Sequence, residues 1–294
     1  MKSLVISSPA KTNLFLKVLG KRSDGYHELL TVFHRLSLCD RLTLKKIPAG
    51  RFSLTTNHSS LRNQKNNLIA KAYELLRRHT LWRGGVDVKL EKNIPVAAGL
   101  GGGSSNAAHF LLGVNRLFSL GLPRNTLVRI GKKLGSDVPF FLYEVNQAIG
   151  RGRGEIVTPL PYRGKLWFVV VQAPFGLATK DVYRKHSPFR SKGHRLTRIS
   201  RVDTITSAFF QAFKQGPRSR LKLANDLFRA SLAIRPELRK IDKCLHKAGG
   251  AVRLMSGSGP TMLSIHDSRK EAESVARKLR TCKPKVRVFI CHTY

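Results

Sequence analysis

Apolar and polar positions in this chain recur with two periods. Val86, Val88 and Leu90 alternate with Asp87, Lys89 and Glu91, which predicts a half-buried strand. Four further strands are read over 4–8, 14–19, 31–38 and 42–46. Between 68 and 79, Ile69, Ala72, Leu75 and Leu76 keep helical spacing, and Asn66-Asn67 stands where an N-cap belongs. Ala107, Ala108, Leu111, Leu112 and Asn115 mark a second helix. Leu127, Ile130 and Leu134 mark a third, with Pro123 in its first turn and Gly135 past its end.

The later half reads as a continuous apolar strand over 166–172, buried on both faces, and helices over 202–214, 224–232 and 236–247. It closes as strand, a Ser256–Pro260 turn, strand, a helix over 269–279 and a strand over 286–291. The glycine-rich stretch from Gly150 to Glu155 is read as a hinge. The expected fold class is therefore α+β, in two domains (1–156 and 157–294) flanking a cleft.

The run from Asn93 to Asn115 has no formal charge, but its proline, asparagines and glycines make it a costly membrane span. Leu4-Val5-Ile6 is too short for the apolar core of a signal peptide. Cys39, Cys244, Cys282 and Cys291 form no C-x-x-C pair, so reduced thiols and a cytoplasmic location are expected, with no membrane partner. The ten histidines contain no H-E-x-x-H or H-x-H spacing, so no protein-held metal is expected.

Charge complicates this ordinary picture. With 54 Lys and Arg against 17 Asp and Glu, the formal net charge is +37. Such an excess suits a nucleic-acid binder. It also suits an enzyme whose surface attracts polyanionic small molecules; charge alone favours nucleic acid, and charge together with the glycine loop at 99–103 does not. The basic residues are spread along the chain, with one concentration between Arg184 and Lys222 where eleven face a single acid, Asp203.

The densest chemistry lies between the 86–91 strand and its following helix. There Pro95, Val96, Ala97, Ala98, Gly99, Leu100, Gly101, Gly102, Gly103, Ser104 and Ser105 run in order. Backbone N–H groups without Cβ atoms in the way, at a helix N-terminus, make a cradle for phosphate. A flexible turn is the alternative, and the loop is neither a Walker A sequence nor G-x-G-x-x-G. Lys11 is either an edge charge that blunts strand pairing or a group for chemistry. Asp137, in Gly135-Ser136-Asp137-Val138-Pro139, is either a turn cap or an acceptor for a hydroxyl proton. Tyr26-His27, after Asp24-Gly25, is either plain surface or a stacking face for a heterocyclic base.

Taken in order, Ser8-Pro-Ala-Lys11-Thr-Asn13, Asp24-Gly25-Tyr26-His27, the Pro95–Ala108 stretch, the Asp137 turn and Ser256-Gly-Ser-Gly-Pro-Thr261 resemble the GHMP kinase superfamily. Within it they are similar to the branch acting on 4-diphosphocytidyl-2-C-methyl-D-erythritol in non-mevalonate isoprenoid precursor synthesis. The resemblance implies a ribosomal-protein-like N-terminal domain, a ferredoxin-like C-terminal domain, and ATP with Mg²⁺ as cofactors. It places the catalytic pair on Lys11 and Asp137, and the ATP phosphates on Pro95 to Ser105. The hydroxyl of Ser104 or Ser105 then suits Mg²⁺, which prefers hard oxygen ligands. Adenine falls beside Asn67 and Leu68; the substrate falls on Asn13, Tyr26, His27 and Tyr183. A monomer or weak homodimer is expected, with nucleic acid bound only non-specifically. One departure stands out: Arg153 occupies a position where a small or apolar residue is expected. Rival readings are another GHMP kinase, of homoserine or mevalonate type, or a basic RNA-binding module.

Overall fold

The computed structural model describes residues 2–63, 67–162, 164–186 and 223–294. The four N-terminal strand segments fuse into two long strands, β1 (Ser3–Lys21) and β2 (His27–Ile47), paired antiparallel. The pairing continues through register shifts between Pro9 and Ala10, Asn13 and Phe15, and Val18 and Gly20. A bulge bends a strand and re-aims its side chains without ending it.

On its other side β2 has two partners. Arg41 to Ile47 pair with β4 (Gly85–Glu91), and Leu29 to His34 pair with β5 (Gln147–Gly152). β3 (Phe52–Thr56) lies parallel to β4, while β6 (Ile156–Leu160) returns antiparallel to β5. The Gly150–Glu155 stretch is therefore the tip of a hairpin in the first sheet and not a hinge. Its glycines supply the left-handed turn, with Gly152 at φ +70° and Gly154 at φ +110°.

Helices α1 (Leu68–His79), α2 (Gly102–Leu117), α3 (Arg124–Leu134) and α4 (Val138–Leu142) follow in order. α1 matches its expected bounds, and Asn67 caps it by accepting from the Ile69 amide at 3.0 Å. Asn66 lies outside the described residues. α4 was missed, because five residues with Pro139 in the first turn give no periodic signal.

A second, antiparallel sheet is ordered β11 (Arg287–His292), β7 (Trp167–Gln172), β10 (Met262–His266) and β9 (Val252–Met255). α5 (Thr179–His186), α6 (Phe228–Ile234), α7 (Leu238–Lys247) and α8 (Arg269–Lys278) accompany it. The helix expected over 224–232 begins only at Phe228. Ala224–Asn225 form instead β8, a short parallel strand against Phe15 and Leu16 of β1. The helix expected over 202–214, and residues 187–222 of the basic stretch, lie outside the described residues.

The elements stack in four layers. Leu42, Leu44, Val86 and Val88 pack one face of the first sheet against Phe110, Leu111, Ile130 and Phe140 of the helices. Its other face, with Leu14, Val32 and Leu36, meets Phe168, Val170 and Leu263 of the second sheet. Val169 and Val171 point the opposite way, onto Leu238, Ile241, Leu245 and Val275 of α7 and α8. β7 is thus buried on both faces, as its unbroken apolar run requires; each such side chain stabilises by about 1.5–3 kcal/mol. Among the described residues no helix is long and apolar enough to cross a membrane. The uncharged run is α2 and its lead-in loop, with α2 buried between β1, β2 and the neighbouring helices.

Candidate active site

The glycine loop is built by close approach, which removes the flexible-turn alternative. Gly99 (φ +77°) and Gly101 (φ +68°) are left-handed, a conformation side chains disfavour. A Cβ on Gly101 would stand 2.8 Å from Cγ of Lys11, and one on Gly102 would stand 3.0 Å from Cγ2 of Ile94. Gly101 occupies the N-cap of α2, where no side chain caps the helix and no acid sits in the first turn. The first-turn amides of Gly102, Gly103 and Ser104 are thus left for an anion at the positive end of the helix dipole. Ser105 is different: its amide already donates to Gly101 O at 2.9 Å.

A buried polar network fixes this helix end. Lys92 donates to Asp40 and, at 3.2 Å, to Asn106; Asp40 also accepts from the amides of Asn93 (2.7 Å) and Ile94 (2.8 Å). Asn106 donates to Asp40 at 2.8 Å and to Ser8 Oγ at 2.9 Å, and Ser8 Oγ donates to Ser105 Oγ at 2.8 Å. Burial pushes the Lys92 ammonium below its ordinary pKa, and Asp40 opposes that. Ser105 is consumed by this network, so the structure does not bring it to the cavity, whereas Ser104 lines it.

Lys11 and Asp137 meet beside the loop, with Lys11 Nζ 3.2 Å from Asp137 Oδ2. Lys11 is 4 % exposed, which overturns the edge-charge reading, and its amide donates to Leu100 O at 2.9 Å. Its Nζ also donates to Asn13 Oδ1 at 2.8 Å and sits 5.4 Å above the Phe33 ring. Asn13 in turn donates to Thr31 Oγ1 at 2.7 Å, which fixes the amide's orientation. Asp137 stands at the N-cap position of α4 without capping it. α4 is held from below by Arg35, whose Nη2 donates to Phe141 O at 2.6 Å and whose guanidinium lies over both Phe140 and Phe141.

The second sheet's Ser256–Pro260 loop closes over the first. Ser256 Oγ donates to Gly99 O at 2.9 Å, and Asn225 Nδ2 donates to Met255 O (2.8 Å) and Gly257 O (2.7 Å). At the opposite end His27 and Tyr183 stack at 5.2 Å, while Arg153 lies 4.6 Å over the Tyr26 ring.

The loop, the Lys11–Asp137 pair and the aromatic end line one cavity of about 1300 Å³. Pro95 to Ser104, Lys11, Asn13, Asn67, Leu68, Asp137, Tyr26, His27 and Tyr183 all reach it. Its lining carries Lys11, Lys21, Lys92, Arg153, Lys180 and Arg184 against Asp24 and Asp137, a field suited to a polyanion. Among the described residues no three His, Cys, Asp or Glu cluster as metal ligands. Sequence reasoning missed Lys92, Asp40 and Arg35, whose partners lie far along the chain, and Asn225, which stood in a stretch with helical periodicity. The Ser256 loop was visible as a turn, but nothing local showed what it touches.

Two family patterns match the chain: GHMP kinases N terminal domain over residues 67–144, and GHMP kinases C terminal over 209–285. A relative from Geobacter metallireducens, named 4-diphosphocytidyl-2-C-methyl-D-erythritol kinase, is 38% identical over 95% of this chain and 95% of its own. A crystal structure of 4-(cytidine 5'-diphospho)-2C-methyl-D-erythritol kinase superposes with a TM-score of 0.79 at 31% identity, covering 98% of this chain and 99% of that one. Mevalonate kinase of L. major, at 17% identity and a TM-score of 0.76 over 99% and 97%, shares the fold. By this full-length likeness, and by two domains folded as in those enzymes, the chain belongs to the GHMP kinases, in the family of the 4-diphosphocytidyl-2-C-methyl-D-erythritol kinases.

Proposed function

We propose that this chain transfers the γ-phosphoryl group of ATP to the 2-hydroxyl of 4-diphosphocytidyl-2-C-methyl-D-erythritol. The observation that carries this reading is the Lys11–Asp137 pair, set beside an uncapped glycine helix terminus in a single basic cavity. Phosphoryl transfer needs a phosphate held in line with an attacking oxygen and its spreading charge offset. The amides of Gly102, Gly103 and Ser104 hold the ATP phosphates, and adenine lies beside Asn67 and Leu68. Asp137 orients the substrate hydroxyl and takes its proton; Lys11 bridges that oxygen and the transferring phosphoryl group. Asn13, fixed by Thr31 and Lys11, presents a rigid amide edge to the acceptor. The substrate base stacks on the aromatic group of Tyr26, His27 and Tyr183.

Magnesium fits this cavity as a partner of phosphate and not of a protein cage. Of the two loop serines, Ser104 is the one on the cavity lining, and no acidic cluster competes for the ion among the described residues. Bound with ATP, it would offset phosphate charge. The aromatic end separates this reading from a homoserine or mevalonate kinase, whose substrates have no base to stack. An ADP-release assay with 4-diphosphocytidyl-2-C-methyl-D-erythritol, homoserine and mevalonate tests it. Release with the cytidine compound alone supports the proposal; release with either other alcohol instead, or with none, removes it.

A further inference from the structure

Arg153 stands at the tip of the β5–β6 hairpin, and the structure places it on the cavity lining. Its guanidinium lies 4.6 Å over the ring of Tyr26. The next residue, Gly154, abuts the opposite landmark: a Cβ built there would stand 3.9 Å from Asp137 Oδ1. Arg153 therefore stands on the path between the aromatic end and the acceptor carboxylate.

That placement is built. Arg22 bonds both Asp24 (3.1 Å) and Glu28 (2.6 Å), and Asp24 accepts from the Tyr26 amide at 3.1 Å, which fixes the turn carrying Tyr26. Glu28 also accepts from the Gly152 amide at 2.9 Å, so the β5–β6 hairpin tip is tied to that same turn. At the tip, Glu155 accepts from the Arg153 amide at 2.6 Å, while its carboxylate stays 3.8 Å from the guanidinium. Three other cavity cations are committed more closely: Lys11 to Asp137, Lys92 to Asp40, Arg184 to Asp181 at 3.0 Å. Lys21 and Lys180 also line the cavity, but among the described residues neither lies over an aromatic ring as Arg153 does over Tyr26.

We infer that Arg153 and the face of Tyr26 beneath it form a diphosphate subsite for the acceptor substrate. This rests on the reading of the substrate as a nucleoside-diphosphate-linked alcohol. In such a molecule the order is base, ribose, diphosphate, alcohol. The cavity presents the matching order of aromatic rings, Arg153 and Asp137. A guanidinium is suited to this task because its planar fork grips two phosphate oxygens while its flat face stays on an aromatic ring. A lysine supplies charge without either feature.

The test is isothermal titration of the full chain with CDP and with cytidine, each under saturating non-hydrolysable ATP analogue, in wild type, Arg153→Ala and Arg153→Lys. Wild type binds CDP more tightly than cytidine. Arg153→Ala weakens CDP roughly 10- to 100-fold and leaves cytidine unchanged, as expected for loss of charge-assisted hydrogen bonds to phosphate. Arg153→Lys falls between the two. Unaltered binding of the ATP analogue shows that each variant is folded. Equal weakening of CDP and cytidine, or weakening of neither, overturns the subsite while leaving the substrate reading intact. Failure of wild type to bind CDP at all overturns both.

Discussion

Ser104 and Ser105 are neighbours in the glycine loop with different surroundings. Ser104 opens on the cavity; Ser105 is fully buried, tied to Ser8 at 2.8 Å and facing His109 at 3.3 Å. Their alanine variants should therefore diverge. Ser105→Ala leaves the buried Ser8 hydroxyl short of a partner and should lower unfolding free energy by about 1–3 kcal/mol, read from urea denaturation. Ser104→Ala should weaken magnesium-dependent nucleotide binding more than Ser105→Ala does, at smaller cost to stability. The reverse ranking in both measurements would contradict the placement of the two hydroxyls. The sequence could not separate them, because either serine suits a helix N-terminus and only the packing of β1 beneath the loop decides.

At the scale of elements, the contact between the glycine loop and the Ser256 loop joins two sheets at the site. Gly99 permits it, since a Cβ there would lie 2.4 Å from the Ser256 carbonyl oxygen at a φ of +77°. Gly99→Ala should cost about 1–3 kcal/mol in backbone strain, or relieve that strain by lifting the loops apart. The expected outcome is a lowered urea midpoint, a raised KM for ATP, or both; a variant with wild-type values in both would refute the contact.

Elements were legible wherever one period governed a whole segment. α1 and the strand at β7 follow their apolar spacing because each presents fixed faces to its neighbours. The two long strands were legible only as four separate pieces, since bulges interrupt alternation while pairing continues. The hairpin tip at 152–155 looked like a hinge because left-handed glycines serve either purpose. In the site, Lys11, Asp137 and the loop were readable as motifs. Their supports, Arg35 beneath α4 and Asp40 beneath α2, depend on partners brought together only by the sheet.

Across the whole molecule, the two sheets are also joined by a seam at His34. Nδ1 of His34 accepts from Gln147 Nε2 at 2.7 Å, and its Nε2 donates to Thr293 Oγ1 at 3.1 Å. Thr293 also accepts from the Leu166 amide at 3.0 Å, so one hydroxyl spans both sheets. Complete burial pushes His34 down to about 3, and burial pushes His109 to about 4. Both remain neutral in the folded protein where an unfolded histidine, near 6.5, binds a proton. Unfolding therefore takes up protons between roughly pH 6.5 and 4, and stability falls as pH drops through that window. Urea midpoints should fall on going from pH 7 to pH 5, and His34→Gln should narrow the fall by removing one of the two groups. A midpoint that is flat or rises on acidification would contradict the assignment.

The central claim is that one carboxylate, Asp137, receives the acceptor's proton while the glycine loop and Lys11 hold the phosphoryl group. Rapid-quench single-turnover transfer from ATP to 4-diphosphocytidyl-2-C-methyl-D-erythritol tests it most directly, comparing wild type with Asp137→Asn, both ligands saturating and their dissociation constants measured alongside. Transfer should slow roughly 100- to 10,000-fold in the variant, with both ligands still bound. Transfer by Asp137→Asn at the wild-type rate would contradict it.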